Sequence, residues 1–184
     1  MYKELDDLEL ARYCRAGDRQ AMGELYTRYA AMIYTLCRRY VGDCDEARDL
    51  MHETFLAAFD KMESYSGKGA LYGWIARIAV NKAINYLKRA RWRMISLGEW
   101  AVNEVAEPAR EDVNALSQEK LLEIVSRLPD LRRTVFNLYC IDGYSHREIG
   151  QMLGISEKGS AGVLSKARRQ LQELIKRYLK EKEQ

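Results

Sequence analysis

Proline and histidine are almost missing from this chain. There are two of each in 184 residues: Pro108 and Pro129, His52 and His146. With twelve glycines, few β-branched runs and no internal repeat or low-complexity tract, the composition fits a globular protein and leans towards helix. Two histidines leave little scope for metal ligation or proton transfer. The cysteines Cys14, Cys37, Cys44 and Cys140 form no C-x-x-C pair and lack the density of a disulfide scaffold, which points to reduced thiols in a cytoplasm. No apolar run approaches the roughly 20 residues needed to cross a bilayer, and the N-terminus has no signal-peptide pattern. A soluble cytoplasmic chain with no membrane insertion is expected. One further absence is local: between Ser64 and Gly98 there is no Asp or Glu at all, although the whole chain is close to balance, with 30 basic and 27 acidic residues.

What fills that acid-free stretch is informative. It carries Lys68, Arg77, Lys82, Lys88, Arg89, Arg91 and Arg93, interleaved with Tyr65, Tyr72, Trp74, Tyr86 and Trp92 and with the amides Asn81 and Asn85. Cationic side chains neutralise phosphates, aromatic faces stack on unpaired bases, and amides read base edges. A loop holding Ser66, Gly67, Gly69 and Gly73 leads into a helix expected from Leu71 or Trp74 to about Arg93. A basic run alone is equally a solvated helix face. The combination of cations, rings, amides and glycine-rich loop points instead to nucleic acid. Trp74 falls in phase with Leu71, Ile75, Ile78, Ala79 and Leu87 and is assigned to the core, so the loop residues Tyr65 and Tyr72 are the expected base contacts.

The rest reads as helix after helix. Leu5, Leu8 and Ala11 suggest a short opening helix ending near Gly17, and Asp18 caps the next. Met22, Leu25, Tyr26, Tyr29, Ile33, Leu36, Cys37 and Tyr40 recur at three- and four-residue spacing, a buried stripe. Gly42 breaks it and Asp43 recaps. The third helix buries Ala47, Leu50, Met51, Thr54, Phe55, Ala58, Phe59 and Met62. Its other side carries Asp49, His52, Glu53, Leu56 and Asp60, an acidic face with one apolar anchor that suits a protein partner. Residues 95–118 change character: Glu99, Glu104, Glu107, Glu111 and Asp112 are opposed only by Arg110, Pro108 interrupts, and no apolar period runs through, which predicts an acidic linker.

Beyond it, Leu121, Leu122, Val125 and Leu128 give a helix stopped at Pro129, which opens the next. Leu131, Val135, Leu138 and Ile141 follow, up to Gly143. Ser145-x-x-Glu148 is a capping box before Ile149 and Leu153. Gly154 permits a tight turn, and Ser156 caps a last helix with Leu164, Ala167, Leu171, Leu174, Ile175 and Tyr178 on its apolar side and no acid from Lys158 through Gln172. A short helix, a glycine turn and a longer basic helix make a helix-turn-helix unit. Two metal-site patterns begin and fail. His52-Glu53 has Leu56 where a zinc motif needs its second histidine. Asp43-x-Asp45 has Arg48 where a calcium loop needs glycine. No G-x-x-x-x-G-K-[ST] exists. No catalysis, cofactor or metal is expected.

Several runs resemble one family. Gly42-Asp43 and Ala47-Arg48-Asp49-Leu50-Met51-His52-Glu53-Thr54-Phe55-Leu56 resemble the segment of bacterial sigma factors that grips core RNA polymerase. Trp74-Ile75-Ala76-Arg77-Ile78-Ala79-Val80-Asn81-Lys82-Ala83-Ile84-Asn85-Tyr86-Leu87 resembles the promoter-melting and −10 recognition helix that follows it. Leu128-Pro129, Gly143-Tyr144-Ser145-His146-Arg147-Glu148-Ile149-Gly150, Leu153-Gly154-Ile155-Ser156-Glu157 and Lys166-Ala167-Arg168-Arg169-Gln170-Leu171 resemble the −35-reading domain. The layout, with about twenty residues before the first domain and a short linker, is similar to the extracytoplasmic-function (ECF) type.

The resemblance implies an all-α chain with a region 2 domain (1–94), a linker (95–118) and a region 4 domain (119–184). It implies docking of Asp49, His52, Glu53 and Leu56 on the β′ clamp helices of core RNA polymerase, His52 standing where the family usually has an amide. It implies −10 contacts by Tyr65, Lys68, Tyr72, Arg77, Asn81, Lys82, Asn85, Lys88, Arg89 and Arg91. It implies −35 contacts by Ser145, Arg147, Lys158, Ser160, Ser165, Lys166 and Arg169, in a domain that also touches the β flap. The linker would follow the RNA-exit path, and an anti-sigma factor would hold the free protein.

The family commonly continues Gly-Thr-Val-Lys-Ser-Arg-Leu after Ser156-Glu157. Here the run is Lys158-Gly159-Ser160-Ala161-Gly162-Val163-Leu164, with Ala161 and Val163 in place of the usual Lys and Arg. The competing expectations are a stand-alone helix-turn-helix regulator, which needs a dimer and a palindrome, and an adaptor that makes protein contacts only.

Overall fold

A computed structural model describes residues 2–90 and 117–182. All regular structure among the described residues is helical. Two compact units divide the chain, Met1–Tyr86 and Leu87–Gln184.

In the first, α1 (Asp7–Arg15), α2 (Arg19–Val41), α3 (Cys44–Asp60) and most of α4 (Leu71–Ala90) follow one another, the last four residues of α4 falling past the unit boundary. The helix starts are set by aspartates: Asp6 accepts from the Glu9 amide, Asp18 from the Gln20 and Ala21 amides, and Asp43 from the Asp45 and Glu46 amides. Each cap satisfies N–H groups that the first turn leaves unpaired, a contribution of about 1 kcal/mol. Gly42, at φ 81°, turns the chain between α2 and α3 in a conformation that residues with a Cβ rarely adopt. The apolar stripes close on each other: Leu25, Tyr29, Ile33, Leu36, Cys37 and Tyr40 of α2 and Ala47, Leu50, Met51, Phe55 and Ala58 of α3 are all buried. Thr54 joins them because its hydroxyl donates to the Leu50 carbonyl at 2.7 Å. The N-terminal turn is tied down by Arg28, whose guanidinium reaches the Leu5, Tyr2 and Lys3 carbonyls and Asp7. Burial pushes the Cys14 thiol up to about 11 and the Cys37 thiol up to about 12, so neither is a nucleophile at neutral pH.

The second unit contains α5 (Gln118–Ser126), α6 (Asp130–Phe136), a π-helical turn (Asn137–Ile141), α7 (His146–Leu153) and α8 (Glu157–Lys182). Ile124 of α5 and Leu128 just beyond it are buried, packed with Ala167, Leu171 and Ile175 of α8. Leu121 and Leu122 are only half-buried, so the stripe is rotated from the expected one. Arg133 is 4% exposed. It donates to the Ser126 and Leu128 carbonyls and to Asp130 Oδ1 at 2.9, 3.1 and 2.6 Å, closing the α5–α6 corner around Pro129. The capping box forms as expected: the Ser145 side chain accepts from the Glu148 amide, and the Glu148 carboxylate accepts from the Ser145 amide at 2.8 Å.

Candidate functional site

Three surfaces emerge from these helices. The first lies on α3. With the stripe from Ala47 to Ala58 turned inward, Asp49, His52, Glu53 and Leu56 point into solvent on the opposite side. Leu56 is 65% exposed. The His52 ring stacks on Tyr26 of α2, with centroids 6.0 Å apart and planes 7° apart, and Tyr26 in turn leans on Phe55 at 4.8 Å. The imidazole is thereby braced across the face of the helix. Glu53 Oε2 lies 3.1 Å from Lys82 Nζ of α4, so the acidic face borders the basic helix through an ion pair.

The second surface is α4 with its approach loop. Leu71, Ile75, Ala79, Val80, Ala83, Ile84 and Leu87 are buried. Arg77, Asn81, Asn85 and Lys88 recur four, four and three residues apart along the helix, with Arg89 beside them, on the side turned away from that core. Amides and cations therefore share one stripe. Lys82 sits off that stripe, turned towards Glu53. Lys68 is exposed in the loop, between Gly67 at φ 74° and Gly69 at φ 86°. Tyr72 is half-buried against Tyr29, their ring centroids 6.1 Å apart.

Tyr65 corrects an expectation. It is 4% exposed, its ring 5.6 Å from that of Trp74. Its hydroxyl donates to the Gly69 carbonyl at 2.8 Å, and its own carbonyl accepts from Arg15 at 2.9 Å. Burial raises its phenol pKa. Tyr65 is the post on which the loop is built and offers no free face to a base. Arg91, and with it the rest of the basic run and nearly all of the expected linker, lies outside the described residues.

The third surface is the helix-turn-helix. The Gly154 amide donates to the Gly150 carbonyl at 2.8 Å and the Ile155 amide to the same oxygen at 3.0 Å, with Gly154 left-handed at φ 74°. A Cβ at Gly150 would lie 2.7 Å from the Ile155 carbonyl oxygen, so the turn requires glycine there. Ser156 caps α8 through the Gly159 amide at 2.9 Å. Ser145 and Arg147 lie at the start of α7, and Lys158 and Arg169 are exposed on α8. Ser165 and Lys166 are half-buried.

Ser160 is the second correction: it is fully buried, its Oγ 3.0 Å from His146 Nδ1. Val163 is a core residue too. Both fall at the inward phase of α8, together with Leu164 and Ala167. A serine among basic residues suggests an outward side chain, and nothing in the sequence announces its partner, His146. Sequence reasoning also misses the stack behind that partner. The His146 and Tyr139 rings lie 4.2 Å apart at 16°, and the Arg168 guanidinium sits 6.0 Å from the Tyr139 centroid. Burial lowers the His146 pKa, Glu157 opposes that and Arg168 adds to it. The π turn that presents Tyr139 has no simple sequence signal.

Residues 25–93 match the family model of Sigma-70 region 2, and residues 118–171 match that of Sigma-70, region 4. The chain is similar to an ECF RNA polymerase sigma-E factor of Haemophilus influenzae, 30% identical over 164 residues that cover 83% of this chain and 86% of the relative. It is 32% identical over 168 residues to an ECF RNA polymerase sigma-E factor of Escherichia coli, covering 83% and 85%. The ECF sigma factor BldN of Streptomyces coelicolor is 30% identical over 172 residues, 91% of this chain and 65% of that one. Among solved structures, the fold is similar to CnrH in complex with the cytosolic domain of CnrY, with a TM-score of 0.52, 24% identity and coverage of 92% and 97%. It is also similar to the sigma factor RpoE in complex with the anti-sigma factor NepR from Bartonella quintana, with a TM-score of 0.53, 20% identity and coverage of 84% and 96%.

Proposed function

Since this chain belongs to the ECF sigma factors of the sigma-70 family and directs promoter-specific transcription initiation, we propose that it does so with three separate faces and no catalysis of its own. Asp49, His52, Glu53 and Leu56 dock on the β′ clamp helices of core RNA polymerase. The loop around Lys68 and Tyr72, with Arg77, Asn81, Lys82, Asn85, Lys88, Arg89 and Arg91, holds the −10 element as it opens. Ser145, Arg147, Lys158, Ser165, Lys166 and Arg169 bind the −35 duplex, in a domain that also meets the β flap. Residues 1–94 form the docking and melting domain, 95–118 the linker and 119–184 the −35 domain. The protein works in the cytoplasm, where no metal or cofactor is needed, because strand separation is driven by binding alone.

The observation that carries the docking role is Leu56. A leucine left in water beside three polar side chains, on a helix whose other side is fully packed, gains from burial only when a partner arrives. An anti-sigma factor suits the same face, because covering Leu56 and the acids excludes the polymerase.

The melting role follows from the physics of the α4 stripe. Unpaired bases have two open faces and free hydrogen-bonding edges, and a duplex has neither. A surface that joins phosphate-neutralising cations to amides and a half-open tyrosine therefore favours the separated strand. The affinity is electrostatic, and the preference comes from contacts the duplex cannot make. A stand-alone helix-turn-helix regulator or an adaptor would have no use for an acidic docking helix joined to a basic one.

The test is co-purification of Glu53→Arg with core polymerase. Reversing that charge puts a cation in the acidic face, and binding should fall below detection while the helical signal and melting temperature stay within the range of surface substitutions. Unchanged co-purification would remove the docking assignment.

A further inference from the structure

On α8, Gly159, Ser160, Val163, Leu164 and Ala167 are buried. The residues left on the opposite side of its first three turns are Lys158, Ala161, Gly162, Ser165 and Arg169, spaced three, four, seven and eleven residues from the first. At 100° per residue these five occupy one face. Lys158, Ala161 and Arg169 are exposed, while Gly162 and Ser165 are half-buried. The face has a cation at each end and small side chains between. No arginine, lysine, asparagine or glutamine, the side chains that make paired hydrogen bonds to a base, stands in the middle of it. Each glycine in a helix interior costs about 1 kcal/mol relative to alanine, and Gly162 stands on the outward face, where that cost buries no apolar group.

We propose that this face reads duplex DNA through the 5-methyl groups of thymine, with Ala161 as the specificity-determining contact. Gly162 lets the helix backbone settle close to the floor of the major groove, and Lys158 and Arg169 hold phosphates on either side. This rests on the assignment of the domain to −35 recognition and deepens it.

The dimensions fit. Eleven residues of helix rise about 16 Å, more than the roughly 12 Å width of the major groove. Small residues at the centre can therefore meet base edges while the terminal cations lie over the backbones. An alanine methyl against a thymine methyl is an apolar contact that cytosine, which lacks the methyl, cannot supply. The Ser165 hydroxyl donates or accepts and so discriminates weakly. A face of this kind selects runs of A·T pairs and tolerates the order of bases outside them.

The experiment uses the full chain assembled with core polymerase. A promoter library is selected for binding. Thymines of the selected −35 element are then replaced one at a time by deoxyuridine, which removes only the methyl, and guanines by 7-deazaguanine, which removes the N7 acceptor. The expected result is a −35 element rich in A·T, with binding weakened about three- to fourfold at one or two thymines, the size expected for one methyl-sized apolar group returned to water. The Ala161→Gly variant should bind thymine and deoxyuridine promoters equally, and Lys158→Ala should weaken all sequences alike. The wild-type deoxyuridine series stands even if a variant fails to fold. The proposal is overturned if every thymine tolerates deoxyuridine while a guanine substitution weakens binding tenfold or more. If holoenzyme forms but binding ignores the −35 sequence altogether, both this inference and the −35 assignment beneath it are overturned.

Discussion

Leu56 has no intramolecular reason to be where it is. At 65% exposure it adds little to folding, so Leu56→Ser should leave the melting temperature unchanged within about 2 °C while weakening core polymerase binding about thirtyfold. That is the loss expected when one leucine is no longer buried; titration of labelled protein against core enzyme measures it. Gly150 is the opposite case, a residue used only for shape. Its Cβ would meet a backbone oxygen, which moves less easily than a side chain. Gly150→Ala should therefore destabilise the helix-turn-helix by about 1–3 kcal/mol and reduce −35-dependent transcription before −10 binding.

His146 makes a pH prediction. Burial between Tyr139 and Ser160 holds its imidazole below the ordinary value, so the folded form resists a proton that the unfolded chain accepts. At pH 8 both are neutral and nothing is lost. As the pH falls through about 6.5 the unfolded chain takes up the proton first and stability declines, with the full loss reached below the lowered folded value. Amide-exchange protection of α7 in the full chain should fall between pH 8 and 5. His146→Phe, which keeps a ring against Tyr139, should flatten that fall.

In the proposed assignment α4 would bind DNA by charge arranged along a helix. Neutralising Lys88, Arg89 and Arg91 to glutamine should make the salt dependence of holoenzyme–promoter binding shallower by about 0.7–0.9 in log–log slope for each phosphate left without its cation. An unchanged slope would mean these side chains do not touch the backbone. Helices are the legible part of this chain. Asp18, Asp43 and Ser145 sit where caps are expected, and the stripes of α2, α3 and α8 bury most of the residues their period selects, because capping and amphipathicity are local properties. What the sequence does not disclose is tertiary. Tyr65 looks like a free ring until Arg15, fifty residues earlier, fixes its carbonyl. Ser160 looks like a DNA contact until His146 takes its hydroxyl. The stripe of α5 turns to bury Ile124 because α8 sets its phase. Loop and helix-face assignments fail where a distant partner decides which way a side chain turns.

On the proposed assignment, α4 and the helix-turn-helix each carry one DNA-directed face, and the acidic α3 surface belongs to the first unit alone. That division predicts a hierarchy: without the polymerase, neither face alone is large enough to open a promoter, and with it the two act on elements a fixed distance apart. Promoters whose −10 and −35 spacing is changed by half a helical turn should lose activity even with both elements intact, because the second face is then presented to the wrong side of the duplex. The most direct test of promoter opening by this chain is in vitro transcription with purified core polymerase and a genomic promoter library. Adding this protein should produce transcripts from a discrete set of promoters sharing two spaced elements, with permanganate-reactive, unpaired thymines at the upstream edge of each start site. Core polymerase that gains no promoter-specific transcripts and opens no DNA in its presence would contradict it.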